Sequence, residues 1–198
     1  AIVWIEEDKK LYGLNSSGPA AQDMTIKKLK AMGIDKIPPY GPLPVTVPGA
    51  VAGWSALHKR FGKNSFDELF TNAIYYADNG FPITEVVGYY LKLSSERYKD
   101  YPNFKDVWMP NGDPLKKGDI FVNKGLANTY KEIAKSYGES FYKGDIAKII
   151  SKFITEQGGF LSEDDLKNYQ PEWINPVSSN YRGFDVWELP PNGQGIAA

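Results

Sequence analysis

Cysteine is absent from the 198 residues, which excludes disulfides, a thiolate nucleophile and cysteine-ligated metal. Histidine occurs once, at His58, with no second imidazole to complete a metal site. A lone histidine on a helix reads as surface or half-buried packing. An excess of charge of one sign is lacking too, and a net charge of −1 argues against a dominant nucleic-acid or anionic-membrane footprint. No apolar run approaches the ~20 residues of a membrane span. The glycines match neither a phosphate-binding loop nor a dinucleotide fingerprint. No cofactor, no metal, no nucleic acid and no membrane are therefore expected as partners. The compartment of a soluble chain of this kind stays open between cytoplasmic and exported. What remains is a sequence 42% hydrophobic, long enough to bury one sizeable core.

The stretch Val45-Thr46-Val47-Pro48-Gly49-Ala50-Val51-Ala52-Gly53-Trp54 organises that core. Val-Thr-Val is a β-branched run suited to a half-buried extended segment. Pro48 removes a backbone donor and biases Val47 away from helix, so the extended segment ends there. Small residues follow, and Trp54, Leu57 and Phe61 recur at helical spacing, with Gly62 expected to close the helix in a left-handed conformation. The stretch reads as extended arrival, sharp turn and a helix that can approach its neighbours closely.

Before this hinge, residues 2–5 and 10–14 read as two strands, Asn15-Ser16-Ser17-Gly18-Pro19 as a turn, and Met24, Leu29 and Met32 as one face of a helix. After it, Ser65-Phe66-Asp67-Glu68 has capping-box spacing and precedes a helix through Ala77, and Thr84 is placed to cap another carrying Val86, Val87, Tyr90, Leu91 and Leu93. Residues 100–122 hold Pro102, Pro110, Gly112 and Pro114 and are expected to be irregular. Leu126, Tyr130 and Ile133, then Ile146, Ile149 and Phe153, mark two further helices, and a short one starts at 162–165. From Pro176 the pattern returns to strand, with Tyr181-Arg182-Gly183 as a turn and Phe184 to Leu189 alternating. The expectation is a single partial domain, 1–198, with a helical middle bracketed by strands of one sheet. The chain opens inside a strand-like run and closes at Gly195-Ile196-Ala197-Ala198, which reads as the first turn of a helix, so an internal piece of a longer protein is expected.

Taken alone, these residues contain no catalytic constellation. Glu6/Glu7 and Asp164/Asp165 are adjacent acids in a hairpin turn and a first helical turn, where such acids belong for local reasons and stay solvated. The 13 tyrosines fall mainly on helical apolar stripes, so core or interface packing is expected before stacking on sugars or bases.

Val47-Pro48-Gly49-Ala50-Val51-Ala52-Gly53-Trp54 resembles the segment of γ-glutamyltranspeptidases that enters the helical part of the large subunit. The resemblance continues in order through Phe61-Gly62, Ala73-Ile74, Gly80-Phe81-Pro82, Pro114-Leu115-Lys116-Lys117-Gly118-Asp119 and Phe141-Tyr142-Lys143-Gly144-Asp145. It runs on through Gly158-Gly159, Asp165-Leu166 with Tyr169, Tyr181-Arg182-Gly183 and Pro190-Pro191. Essentially the whole chain is covered. The resemblance implies an α+β fold, a mostly helical fragment of an N-terminal nucleophile hydrolase αββα sandwich with strands at both ends. It implies a precursor that cuts itself, so that a new N-terminal threonine becomes the nucleophile with its own α-amino group as base. By position the chain looks like the middle and later part of the large subunit. The nucleophile is then expected outside it, no catalytic residue lies within it, and a small-subunit segment of the same precursor is the expected partner. The substrate implied is an amide or γ-glutamyl-like small molecule. Exposed strand edges and apolar faces suggest association, and an oligomer is possible.

Two departures bear on specificity. In γ-glutamyl enzymes the turn after the early strand carries an Arg-Glu pair, whose arginine binds the α-carboxylate of the glutamyl group. Here Ser17 stands at the arginine's position and Gly18 at the glutamate's, which makes Ser17 and Asn15 the candidate substrate-binding residues. A serine hydroxyl cannot supply a permanently charged bidentate fork. Losing that pair costs on the order of 2–5 kcal/mol of binding if nothing replaces it. Pro190-Pro191-Asn192-Gly193-Gln194-Gly195 likewise replaces the usual Pro-Pro-Ser-Ser-Gly-Gly. Both features look more like the acylase-like branch, which includes cephalosporin and glutaryl acylases. A non-catalytic scaffold that kept the helices and lost the nucleophile, and a saccharide-binding module using exposed tyrosines, are the alternatives.

Overall fold

The structure, a computed structural model, describes residues 1–197. Strands β1 (Ile2–Ile5) and β2 (Lys10–Asn15) lead into helices α1 (Ile26–Ala31) and α2 (Ala50–Phe61). After a 3-10 turn at Glu68–Phe70 come α3 (Thr71–Asn79), β3 (Phe81–Pro82), α4 (Glu85–Tyr98), α5 (Phe104–Trp108), β4 (Ile120–Phe121) and α6 (Lys124–Ser136). Helices α7 (Glu139–Lys143), α8 (Asp145–Glu156) and α9 (Glu163–Lys167) precede strands β5 (Glu172–Ile174), β6 (Val177–Tyr181) and β7 (Phe184–Glu188). Gly195–Ala197 forms a 3-10 turn where a first helical turn is expected, and Ala198 lies outside the described residues.

Two compact units are distinguished by packing: Ala1–Lys63 together with the chain from Ser136 onward, and Asn64–Lys135. In the first, β2 is the middle strand of an antiparallel sheet ordered β1-β2-β5, and β6 and β7 form a separate two-stranded sheet. The strands at the two ends of the chain therefore do not all share one sheet. Strand β5 itself has no period-2 signature; it is extended because β2 offers it a ladder, with Gly13 opposite Ile174 and Asn15 opposite Glu172. Leu14, Val47, Leu161 and Leu166 are the fully buried anchors of this unit. At the far end of α2, Arg60 stacks over Tyr12 (4.1 Å) and Trp173 (4.4 Å), fixing the helix across the sheet. Gly62 is extended (φ −64°, ψ 139°) rather than left-handed, because its amide already closes the helix on the His58 carbonyl. The β6–β7 turn takes Arg182 and Gly183 at positive φ, which the twist of a tight hairpin requires.

In the second unit Ile83, Leu115 and Phe121 form a core, with Leu91, Val107 and Trp108 packed against it. Trp108 stacks on Phe121 at 4.8 Å, so a helix, α5, forms inside the stretch expected to be irregular. Thr84 caps α4 as its position implies, accepting from the Val87 amide. The inward stripe of α4 is Gly88, Leu91 and Ser95, however, and Val86, Tyr89, Tyr90 and Leu93 face solvent. Core packing of the tyrosines holds for the buried Tyr142 and Tyr169, whereas Tyr75, Tyr76, Tyr89 and Tyr90 are exposed in this chain.

Candidate functional site

The turn after β2 is built by its own side chains and then clamped by the hinge. Asn15 closes β2, and its Oδ1 accepts from the Ser17 amide at 2.9 Å, an Asx turn. Its Nδ2 donates to Asn192 Oδ1 at 3.1 Å, which ties the turn to the Pro190-Pro191-Asn192 stretch. From the other side comes the extended arm of the hinge. The Val47 amide donates to the Pro19 carbonyl at 3.0 Å, and Ala20 bridges Thr46. A Cβ on Gly18 would lie 1.7 Å from the Val47 carbonyl oxygen, and one on Gly49 would lie 1.8 Å from that of Ser16. Only glycine allows such backbone-to-backbone approach at these two points. Turn and hinge therefore pack backbone against backbone as one object.

Two buried polar groups hold that object in the core. The Tyr142 hydroxyl donates to the Pro48 carbonyl (2.7 Å) and accepts from the Ala52 amide (3.0 Å), standing in for the side-chain cap that Gly49 cannot provide. Burial pushes its pKa up to about 12, against a lowering from the Ala52 amide. Asp165 completes a capping box with Ser162 at the start of α9 and accepts from the Gln22 amide at 2.9 Å. Burial pushes its carboxyl up, yet the hydrogen bonds from Gln22 and Ser162 outweigh that and hold it below the ordinary carboxylate range. Sequence reasoning takes Asp165 as solvated. It is buried, and ties α9 to the segment following the turn.

Against the turn lies an open cavity of about 420 Å³. Asn15, Ser17, Gly18 and Pro19 line one side; Asn168, Tyr169, Gln170 and Glu172, between α9 and β5, line the other; and Asn192 completes the wall. The structure thus brings Asn15 and Ser17 into one cavity and adds, besides Gly18 and Pro19 of the same turn, five residues that sequence reasoning did not assign to it. Among the described residues neither lysine nor arginine lines it, and Glu172 is the only charged one that does. Tyr169 lines the cavity, and its hydroxyl, near Gly49, is buried with no hydrogen-bond partner among the described residues. Its pKa is raised by burial first and by the charge of Glu172 second. Asn192 sits in a departure visible in the sequence, but nothing in the sequence pairs Glu172 with Asn15. That pairing follows from the β2–β5 register.

The family model described as gamma-glutamyltranspeptidase matches residues 1–198. The chain belongs to the γ-glutamyltranspeptidase family. Among relatives within it, the glutathione hydrolase-like YwrD proenzyme of Bacillus subtilis is 34% identical over 196 residues, covering 98% of this chain and 37% of that protein. The crystal structure of cephalosporin acylase from Bacillus halodurans superposes with a TM-score of 0.93 at 42% identity, over 98% of this chain and 37% of that one. Helicobacter pylori γ-glutamyltranspeptidase superposes at 0.90 with 30% identity, over 98% of this chain and 57% of that one. The α+β arrangement of the present γ-glutamyltranspeptidase-family chain is thus that of the N-terminal nucleophile hydrolases of the transpeptidase and acylase kind. The chain spans 37% of the length of the YwrD proenzyme and of the acylase.

The remaining candidates fall elsewhere. His58 lies on α2 with its Nδ1 2.6 Å from the Tyr137 hydroxyl and its ring edge-on to that tyrosine. Among the described residues no group of three His, Cys, Asp or Glu is placed to hold a metal ion, and no helix is long and apolar enough to cross a membrane.

Proposed function

We propose that this chain is part of the large-subunit region of a γ-glutamyltranspeptidase-like amidohydrolase or acyltransferase whose N-terminal threonine lies outside residues 1–198. The threonine hydroxyl adds to an amide carbonyl, the C–N bond breaks as the amine leaves with a proton, and an acyl-enzyme forms. Water or a second amine then takes the acyl group. This segment supplies part of the acyl pocket and none of the reacting atoms. The match along the whole chain, against relatives named as proenzymes and nearly three times as long, supports this placement. The observation that supports the specificity is the clamped turn 15–19, which carries Ser17, the residue that the sequence resemblance sets at the family arginine's position, beside a cavity with no lysine or arginine among its described lining residues. The reading is therefore an acyl specificity other than strict γ-glutamyl, in the manner of the acylase branch.

A partner segment of the same precursor is supported by the β6–β7 hairpin. Val177, Tyr181, Phe184 and Val186 share one face of it by register, and all four are exposed. The full-length protein, assayed with γ-glutamyl-anilide beside other acyl-anilides, should cut itself and release aniline faster from the latter. Release from γ-glutamyl-anilide at the rate of a dedicated enzyme would overturn the specificity; neither self-cleavage nor release from any acyl-anilide would leave a non-catalytic scaffold.

A further inference from the structure

Asn15 and Glu172 are direct cross-strand partners on β2 and β5, so their side chains stand side by side on one face of the sheet, at the cavity wall. Asn15 is committed on both atoms, accepting from the Ser17 amide and donating to Asn192. Glu172 is exposed and open to a ligand: among the described residues its carboxylate forms no hydrogen bond and no ion pair. Ser17, Asn168, Gln170 and Asn192 around it are neutral hydrogen-bonding groups, and no lysine or arginine lines the cavity to offset the charge. Replacing the arginine by Ser17 removes an attraction for a carboxylate; Glu172 adds a repulsion at the same wall. Specificity gains most when both are present.

We infer that Glu172 is a specificity-determining residue, and that the cavity receives an acyl group whose far end carries an ammonium and turns away one that ends in a carboxylate. The inference rests on the reading of the cavity as an acyl site. An ammonium there satisfies the unpaired carboxylate directly and the surrounding amide oxygens and Ser17 hydroxyl at its remaining protons. A glutaryl-type carboxylate meets a like charge with no cation between them.

The full-length protein tests this with three anilides of matched acyl length, ending in an ammonium (5-aminopentanoyl), a carboxamide (glutaramyl) or a carboxylate (glutaryl). The ammonium substrate should exceed the carboxylate one in kcat/KM by about tenfold or more, the size of one charged hydrogen bond. Glu172→Gln should bring the kcat/KM values of the ammonium and carboxylate substrates together, read as their ratio, and Glu172→Lys should reverse the order. A wild-type preference for the glutaryl substrate, or a ratio unmoved by Glu172→Gln, overturns the inference while the amidohydrolase reading stands. If no anilide is cleaved, that reading fails instead, and calorimetry with 5-aminopentanamide and glutaramate still reads the cavity. Tighter binding of 5-aminopentanamide, abolished by Glu172→Gln, upholds the role of Glu172; equal binding of the two probes overturns it.

Discussion

At the scale of single residues, Tyr142 and Asp165 show how buried polar groups set the pH range of the fold. Tyr142 is held in its neutral form well beyond the ordinary phenol range, so its contribution is complete below the unfolded pKa of about 10 and is lost as pH rises toward 12. Asp165 is held ionised below the ordinary carboxylate range, so its contribution is complete above the unfolded value and is lost as pH falls through the depressed one. A denaturation series across pH on the full-length protein should therefore show a plateau that falls away in strong acid and above about pH 10. Tyr142→Phe should shrink the alkaline limb to the part that Tyr169 contributes and cost about 1–3 kcal/mol, since the Pro48 carbonyl and Ala52 amide lose their partner. An alkaline limb unchanged in that variant would assign it to other groups.

At the scale of elements, the contact that matters is the strand-like arm of the hinge lying on the turn after β2. Its closeness depends on two missing Cβ atoms rather than on any side-chain interaction. Gly49→Ala would bring a methyl within 1.8 Å of the Ser16 carbonyl oxygen and 2.4 Å of the Tyr169 hydroxyl, so the arm and turn must part. We expect a loss of about 1–3 kcal/mol in a urea titration with an unchanged m value, together with a raised KM for any acyl substrate. Gly125→Ala is the matched control. It lies in α6, its Cβ would meet only Asn123 Oδ1 at 3.4 Å, and the change should be neutral or stabilising by up to about 1 kcal/mol. Equal effects of the two substitutions would mean that the clamp is not where the stability lies.

For the whole molecule, the open question is what covers the apolar face of the β6–β7 hairpin. Phe184 is 76% exposed in this chain. If that face stays free in the whole protein, Phe184→Ala changes stability by no more than about 0.5 kcal/mol, as for ordinary surface positions. If a further segment of the precursor packs on it, as proposed, the same substitution should cost about 3–5 kcal/mol. Thermal or chemical denaturation of the full-length protein separates the two directly.

Much of this was legible in the residues themselves. The β-branched arm, Pro48 and the small residues after it specify a strand-to-helix hinge, Thr84 and Ser162 announce helix starts, and the ordered motifs identify the family, because local conformational preference and steric permission are properties of short stretches. Ser17 is marked out by the position that the resemblance gives it, and Asn15 by its place in the same turn. The rest depends on partners distant in sequence. Gly18 and Gly49 are small because another backbone passes over them, α4 turns Gly88 and Ser95 inward and its tyrosines outward, and Asp165 is buried because the Gln22 amide meets it. Strand β5 exists because β2 has an open edge, and only that register sets Glu172 beside Asn15. The sequence by itself determined the family and the hinge. The tertiary structure alone decided which charged residue stands beside Asn15 at the cavity wall, because cross-strand neighbours are chosen by hydrogen-bond register and not by proximity along the chain.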